Sequence, residues 1–294
     1  MDAFPAGHAL DWRGWSRADS TAGSGTGETP ALSHSSDTTA AAATDFAPRR
    51  VPLRGLERPA SGDIHLWFMD LEELAGSLRV ALDADAPTAD QRPFTGGQLT
   101  FTRRFFLRLL LGAYLDVPGK SIRIVRNRRG KPVLDPSVHG RNLHFSIAKS
   151  GRGFLVGLSS TAYLGVDIEP EDRRPRNAMG IARRYFSPAE ARALESMAPD
   201  RQREAFLRAW SCKEAVVKSL GLGIANQLCR FTVETDLERP ATILEFEADD
   251  AREWYLRLLH PADGFLGAVA TRSRPRELHA YRLLPAAPGA DSPA

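Results

Sequence analysis

The sequence predicts an α+β fold preceded by an N-terminal tail of different character. Short runs of apolar–polar alternation, bounded by Gly, Pro, Asn and Ser, recur as antiparallel strands do. Long runs with the apolar spacing of a helix interrupt them, and the first sixty residues show neither pattern. At 294 residues and 43% hydrophobic content, the chain can bury one large core or two modest ones.

Residues 1–60 include "STAGSGTGETPALSHSSDTTAAAATDFAPRR", a stretch rich in Ser, Thr, Ala, Gly and Pro that reads as a disordered tail. It lacks the apolar core of a secretion signal, and its early acids argue against an import presequence. The longest apolar stretch, "FFLRLLLGAYL", is broken by Arg108 and falls short of the roughly 20 residues a membrane span needs. A cytoplasmic protein with no membrane partner is expected. Two cysteines, Cys212 and Cys229, make neither a disulfide framework nor a zinc site and are expected to be reduced packing residues.

Order is expected from Asp63, where "DIHLWFMDL" alternates as a first strand should. A helix follows over Leu99 to Leu115, with Arg104 and Arg108 on neighbouring turns of one face. "SIRIVRN" reads as a strand and "RRGKP" as its turn. "LHFSIA", "FLVGLS" and "LGVDIE", separated by "KSGRG" and "SSTAY", predict an antiparallel meander. After the basic loop "PEDRRPRNAMG" and a helical run to "RRYF", the "SPAE" segment is a helix start: Ser187 caps, Pro188 takes the first position and Glu190 closes a capping box. The next helix runs from about Arg201 to Leu220, and "RFTVET", "ATILEF", "WYLRLL" and "FLGAVA" complete the strands.

Chemistry concentrates in "LGVDIEP", Leu164 to Pro170. In a strand Leu164, Val166 and Ile168 point one way, while Gly165, Asp167 and Glu169 share the other face. Two carboxylates about 7 Å apart on a partly covered face repel and lose hydration unless a cation or several donors sit between them. A hard divalent ion such as Mg²⁺ answers that need, and Gly165 leaves room beside the acids for a ligand. The plain alternative is an edge strand with a solvated acidic face. On the long C-terminal helix Trp210, Glu214 and Lys218 run along one border of the apolar stripe, so an acid and a base sit one turn apart, half buried. Lys213 falls inside the stripe, so either its ammonium reaches a polar pocket or the predicted phase is off.

"GVDIEP", "RRYFSPAEARAL" and "WSCKEAVVKSLGLGI", in that order and spacing, resemble the 4′-phosphopantetheinyl transferases of the larger, Sfp-like type. "LRLLLGAYL", "GKPVL" and "HFSIAKSGRG" extend the resemblance over about Asp63 to Leu284. It implies a pseudo-dimer of two similar α+β subdomains, 61–163 and 164–285, with a flexible C-terminus at 286–294 and coenzyme A between the halves as substrate. It also implies that Asp167, Glu169 and Glu214 hold Mg²⁺, that Lys218 neutralises phosphate, and that Lys131, Lys149, Arg104 and Arg108 help hold the nucleotide phosphates. Where relatives usually carry histidine this sequence has Lys149, which keeps the charge and the reach. The implied reaction moves 4′-phosphopantetheine from coenzyme A to a serine hydroxyl of an acyl or peptidyl carrier protein and releases adenosine 3′,5′-bisphosphate. Glu214 and Lys218 are its catalytic residues, and the enzyme is expected to be a monomer. A competing class is a non-catalytic coenzyme A or nucleotide-binding protein, which turnover on an apo carrier separates. A nucleic-acid partner is not expected, because the net charge is only +3 and the arginine clusters are short and carry no base-reading motif.

Overall fold

The protein is described here by a computed structural model covering residues 44–82, 95–221, 227–247 and 249–287. Most of the expected tail, the segment before the first long helix and the C-terminal residues 288–294 lie outside the described residues. In chain order the first elements are β1 (Ala47–Arg50), β2 (Ile64–Asp70), α1 (Leu71–Leu82), α2 (Gly96–Leu115), β3 (Ile124–Arg126), β4 (Pro132–Leu134), α3 (Pro136–His139), β5 (His144–Ser150) and β6 (Gly153–Ser159). There follow β7 (Leu164–Pro170), α4 (Ala178–Tyr185), α5 (Pro188–Ser196), α6 (Pro199–Leu220), β8 (Phe231–Val233), β9 (Ile243–Phe246), β10 (Trp254–Leu259), β11 (Phe265–Arg272) and β12 (Leu278–Leu284).

Local chemistry sets the helix limits. α2 starts on a capping box between Thr95 and Gln98, and α5 starts on the expected Ser187–Glu190 box with Pro188 at its first turn. α6 begins at Pro199 and stops at Gly221, whose φ of 66° ends the helix in the left-handed region.

The elements repeat. A first strand, a long helix, a small hairpin and then two antiparallel strands occur as β2, α2, β3–β4, β5–β6, and again as β7, α6, β8–β9, β10–β11. In each set the first strand pairs antiparallel along its length with the last one, β2 with β6 and β7 with β11. The first sheet is extended by β12 and β1 to the order β1-β12-β2-β6-β5; the second is β10-β11-β7. Ile64, Leu66 and Phe68 of β2 meet Leu164, Val166 and Ile168 of β7 in one shared core. A second core lies under α2, where Phe106, Leu110, Leu111 and Tyr114 cover Trp67, Met69 and Val156.

Three expectations are corrected. The meander stops at β6, because both edges of that strand are taken by β2 and β5; β7 instead joins β11 in the other sheet. β7 still lies beside β5, and its Val166 amide donates to Ser146 Oγ at 3.2 Å. Order begins before Asp63: β1 pairs in parallel with β12, and Val51, Leu53 and Leu56 pack on the core under α2. Cys212 is a buried packing residue as expected, but Cys229 is exposed.

Candidate active site

The site forms where α6 lies directly on β7. A Cβ on Gly165 would stand 1.9 Å from the Ala215 carbonyl oxygen and 2.4 Å from the Ser219 amide nitrogen, so glycine allows the helix backbone to touch the strand. The space beside Gly165 that the sequence suggested for a ligand is therefore filled by the helix. The same contact brings the helix border Trp210, Glu214, Lys218 against the acids of β7.

Asp167, Glu169 and Glu214 are each only 5% exposed. Lys218 Nζ lies 2.6 Å from Asp167 Oδ1 and 3.8 Å from Glu214 Oε2. Glu169 is held from three sides. Trp210 Nε1 donates to its Oε1 at 3.1 Å, Ser150 Oγ of β5 donates to its Oε2 at 2.6 Å, and Arg173 pairs with its Oε1. Burial pushes the Asp167 carboxyl up to about 6, against the pull of Lys218. Burial pushes Glu214 up to about 8, again opposed by Lys218 and reinforced by the neighbouring acids. On Lys218 burial acts downward, but the Asp167 and Glu214 carboxylates outweigh it and hold the ammonium above its ordinary value.

Among the described residues no three acidic, histidine or cysteine side chains are arranged to close around a metal ion. The acids are occupied by Lys218 and Arg173 instead. The donor set nonetheless has the chemistry of a hard-cation site: it is all oxygen, with three carboxylates, and Asp167 Oδ2 is buried without a hydrogen-bond partner.

The remaining predicted residues are placed around this centre. Lys131 donates to the Leu164 carbonyl at 2.9 Å, at the start of β7, and burial pulls its ammonium down to about 8. It lines a cleft of about 670 Å³ with Arg129, His144, Tyr163, Ser219 and Gly221. Lys149 is exposed on β5, next to Ser150 in the chain; partial burial and the nearby Arg103 guanidinium lower its pKa. Arg104 is half-buried on α2, whereas Arg108 donates to the carbonyls of Gly119 and Ile122 and fastens the loop after that helix.

Sequence reasoning missed that Trp210, Ser150 and Arg173 converge on Glu169. The signal for Arg173 was its i,i+4 spacing from Glu169. Lys213 resolves the open choice: its stem is buried, and its Nζ reaches Glu190 Oε2 at 2.8 Å and the carbonyls of Leu228 and Phe231 at 2.7 and 2.6 Å.

Residues 163–270, which hold all three acids and Lys218, match the model of the 4′-phosphopantetheinyl transferase superfamily. The 4′-phosphopantetheinyl transferase HetI of Nostoc sp. is 31% identical over 216 residues, covering 71% of this chain and 88% of the relative. The chain belongs to the 4′-phosphopantetheinyl transferase superfamily. Two further relatives align over less of their length. Sfp of Bacillus subtilis is 27% identical over 53% of this chain and 71% of its own. The human L-aminoadipate-semialdehyde dehydrogenase-phosphopantetheinyl transferase is 28% identical over 54% and 58%.

Proposed function

We propose that this superfamily member transfers the 4′-phosphopantetheine of coenzyme A to a serine hydroxyl of a carrier protein, releasing adenosine 3′,5′-bisphosphate. The observation that carries the reading is the buried acid cluster of β7 and α6 with Lys218 in its centre, inside the segment that matches the superfamily. In the reaction the serine oxygen forms a bond to the β-phosphorus, the bond from that phosphorus to the adenosine bisphosphate oxygen breaks, and the serine proton passes to a base.

Asp167, Glu169 and Glu214 are the proposed holders of Mg²⁺. Bound there, the ion would neutralise the diphosphate and stabilise charge on the leaving oxygens. Lys218 lies between Asp167 and Glu214 and would turn its ammonium to the phosphates. Glu214, buried and one helical turn from Lys218, is the proposed proton acceptor, directly or through water. Lys131 and Lys149, with Arg104, are proposed for the nucleotide phosphates; Arg108 acts by holding the loop behind them. No helix among the described residues is long and apolar enough to cross a membrane; a cytoplasmic monomer is the proposed form. The repeated element order supports subdomains at 61–163 and 164–285, with β12 crossing back to the first sheet.

The test is incubation with coenzyme A, Mg²⁺ and several apo carriers. A mass gain of one phosphopantetheine on at least one carrier is expected, lost on omission of Mg²⁺. Coenzyme A binding without transfer to any carrier would favour a non-catalytic role.

A further inference from the structure

We propose that Arg173 is a tethered cation standing in the place of the metal, and that divalent-ion binding displaces it from Glu169. The inference rests on the metal reading of Asp167, Glu169 and Glu214 given above. Three carboxylates, each 5% exposed, are gathered in one site, and the side chains that answer their charge are Lys218 and Arg173. Lys218 serves Asp167 and Glu214. Arg173 pairs with Glu169.

Of the three groups on Glu169, Arg173 is the one able to leave. Trp210 is fixed in α6 and Ser150 in β5, whereas Arg173 follows β7 in a turn closed by its own amide donating to the Pro170 carbonyl at 3.0 Å. Its side chain is 33% exposed. Swinging it outward needs only side-chain rotation, and its charge is regained by solvent. A divalent ion entering at Glu169 Oε1 needs a lone pair that Arg173 and Trp210 now take, and at either oxygen it would be repelled by a guanidinium left in place. The set fits a divalent cation in chemistry, and its own cations are folded into it. The arm keeps three buried acids tolerable in the metal-free protein and raises the metal concentration at which the site loads.

The experiment is Mn²⁺ binding to the full chain without coenzyme A or carrier, followed by the electron paramagnetic resonance of free Mn²⁺. R173Q should bind about tenfold more tightly than wild type, a size set by one partly screened charge. R173K, which keeps the charge, should stay closer to wild type than R173Q does. Asp167→Asn should weaken binding at least about tenfold in both the wild-type and R173Q backgrounds. If D167N weakens binding but R173Q matches wild type or binds less well, Arg173 is no competitor and the metal reading stands. If D167N and wild type bind Mn²⁺ equally, the metal reading falls and this inference falls with it. Thermal melts of the metal-free variants supply a second readout. R173Q should melt below wild type and be raised more by the same Mn²⁺ concentration, as tighter binding to the folded state requires.

Discussion

β2 and β7 are the same strand used twice, and they differ in the face each turns to its long helix. Both have seven residues, both open a half of the molecule, and both pair along their whole length with the last strand of that half. Position by position, Ile64, Leu66 and Phe68 correspond to Leu164, Val166 and Ile168, and both trios face the shared core. The opposite face, toward the long helix, is where they diverge. β2 carries His65, Trp67 and Met69; β7 carries Gly165, Asp167 and Glu169. In the first half Tyr114 of α2 answers with one hydroxyl, 2.8 Å from His65 Nδ1 and 2.9 Å from Trp67 Nε1, and the face is sealed. In the second half a glycine lets α6 come to backbone contact, and the helix answers two acids with a third acid and a lysine. One scaffold thus gives a packed face and a charged one, and the side chains of alternate strand positions decide which.

The comparison breaks most sharply at its second position. Gly165→Ala should push α6 off β7, abolish transfer and cost at least about 4 kcal/mol, in the range reserved for severe core clashes. His65→Ala at the matching position of β2 removes one hydrogen bond to Tyr114 and forces no clash, and should cost no more than about 2 kcal/mol. Urea unfolding of the two variants measures the contrast. Next comes Lys213, which anchors α6 from its buried side. It is 0% exposed and carries Glu190, Leu228 and Phe231 on one ammonium. Lys213→Met should destabilise by about 3 to 5 kcal/mol, because Glu190 is left charged and buried. A melt unchanged from wild type would show that the ion pair carries no net stability.

A smaller effect separates the halves by pH. Burial first, and then the neighbouring His279, lower the His65 pKa to about 4, with Asp63 opposing. A base with a depressed pKa binds fewer protons when folded, so its stabilisation is complete above about 6.5 and is lost as pH falls toward about 4. After allowance for solvent screening this amounts to about 1 kcal/mol. His65→Phe should flatten that part of the wild-type stability profile; an unchanged acid limb would mean that His65 titrates normally.

Much of this architecture was legible in the sequence, and what was not follows a physical pattern. Alternation placed β2, β5, β6 and β7. The capping box placed α5, the helical wheel put Glu214 and Lys218 on the border of the apolar stripe and Lys213 inside it, and the family resemblance joined Glu214 to the strand acids. Local patterns cannot choose a partner strand, so β7 was read as the third strand of a meander when its neighbour, β11, lies about a hundred residues later. β1 was read as tail because "APRR" has no apolar face; its order comes from backbone pairing with β12. In the sequence Arg173 belongs with Arg174 and Arg176 to one basic loop, since a linear reading does not see the turn that folds its first arginine back to Glu169. Arg174 and Arg176, on the same basic loop, are the proposed contacts for an acidic carrier. Reversing both charges should raise the carrier KM about tenfold and leave the coenzyme A KM within twofold, an effect that fades with salt. Equal loss for both substrates would contradict it.

The proposed site puts the reaction on the charged face of β7, and not on its packed counterpart. Steady-state transfer to an apo carrier, compared between Asp167→Ala and Trp67→Phe at the matching position of β2, tests it most directly. D167A should lose on the order of 10³-fold in kcat at every Mg²⁺ concentration, as removal of a charge-stabilising group does, while melting cooperatively. W67F should keep kcat within a few-fold while melting lower. A D167A protein with near-normal, Mg²⁺-dependent turnover would contradict the account.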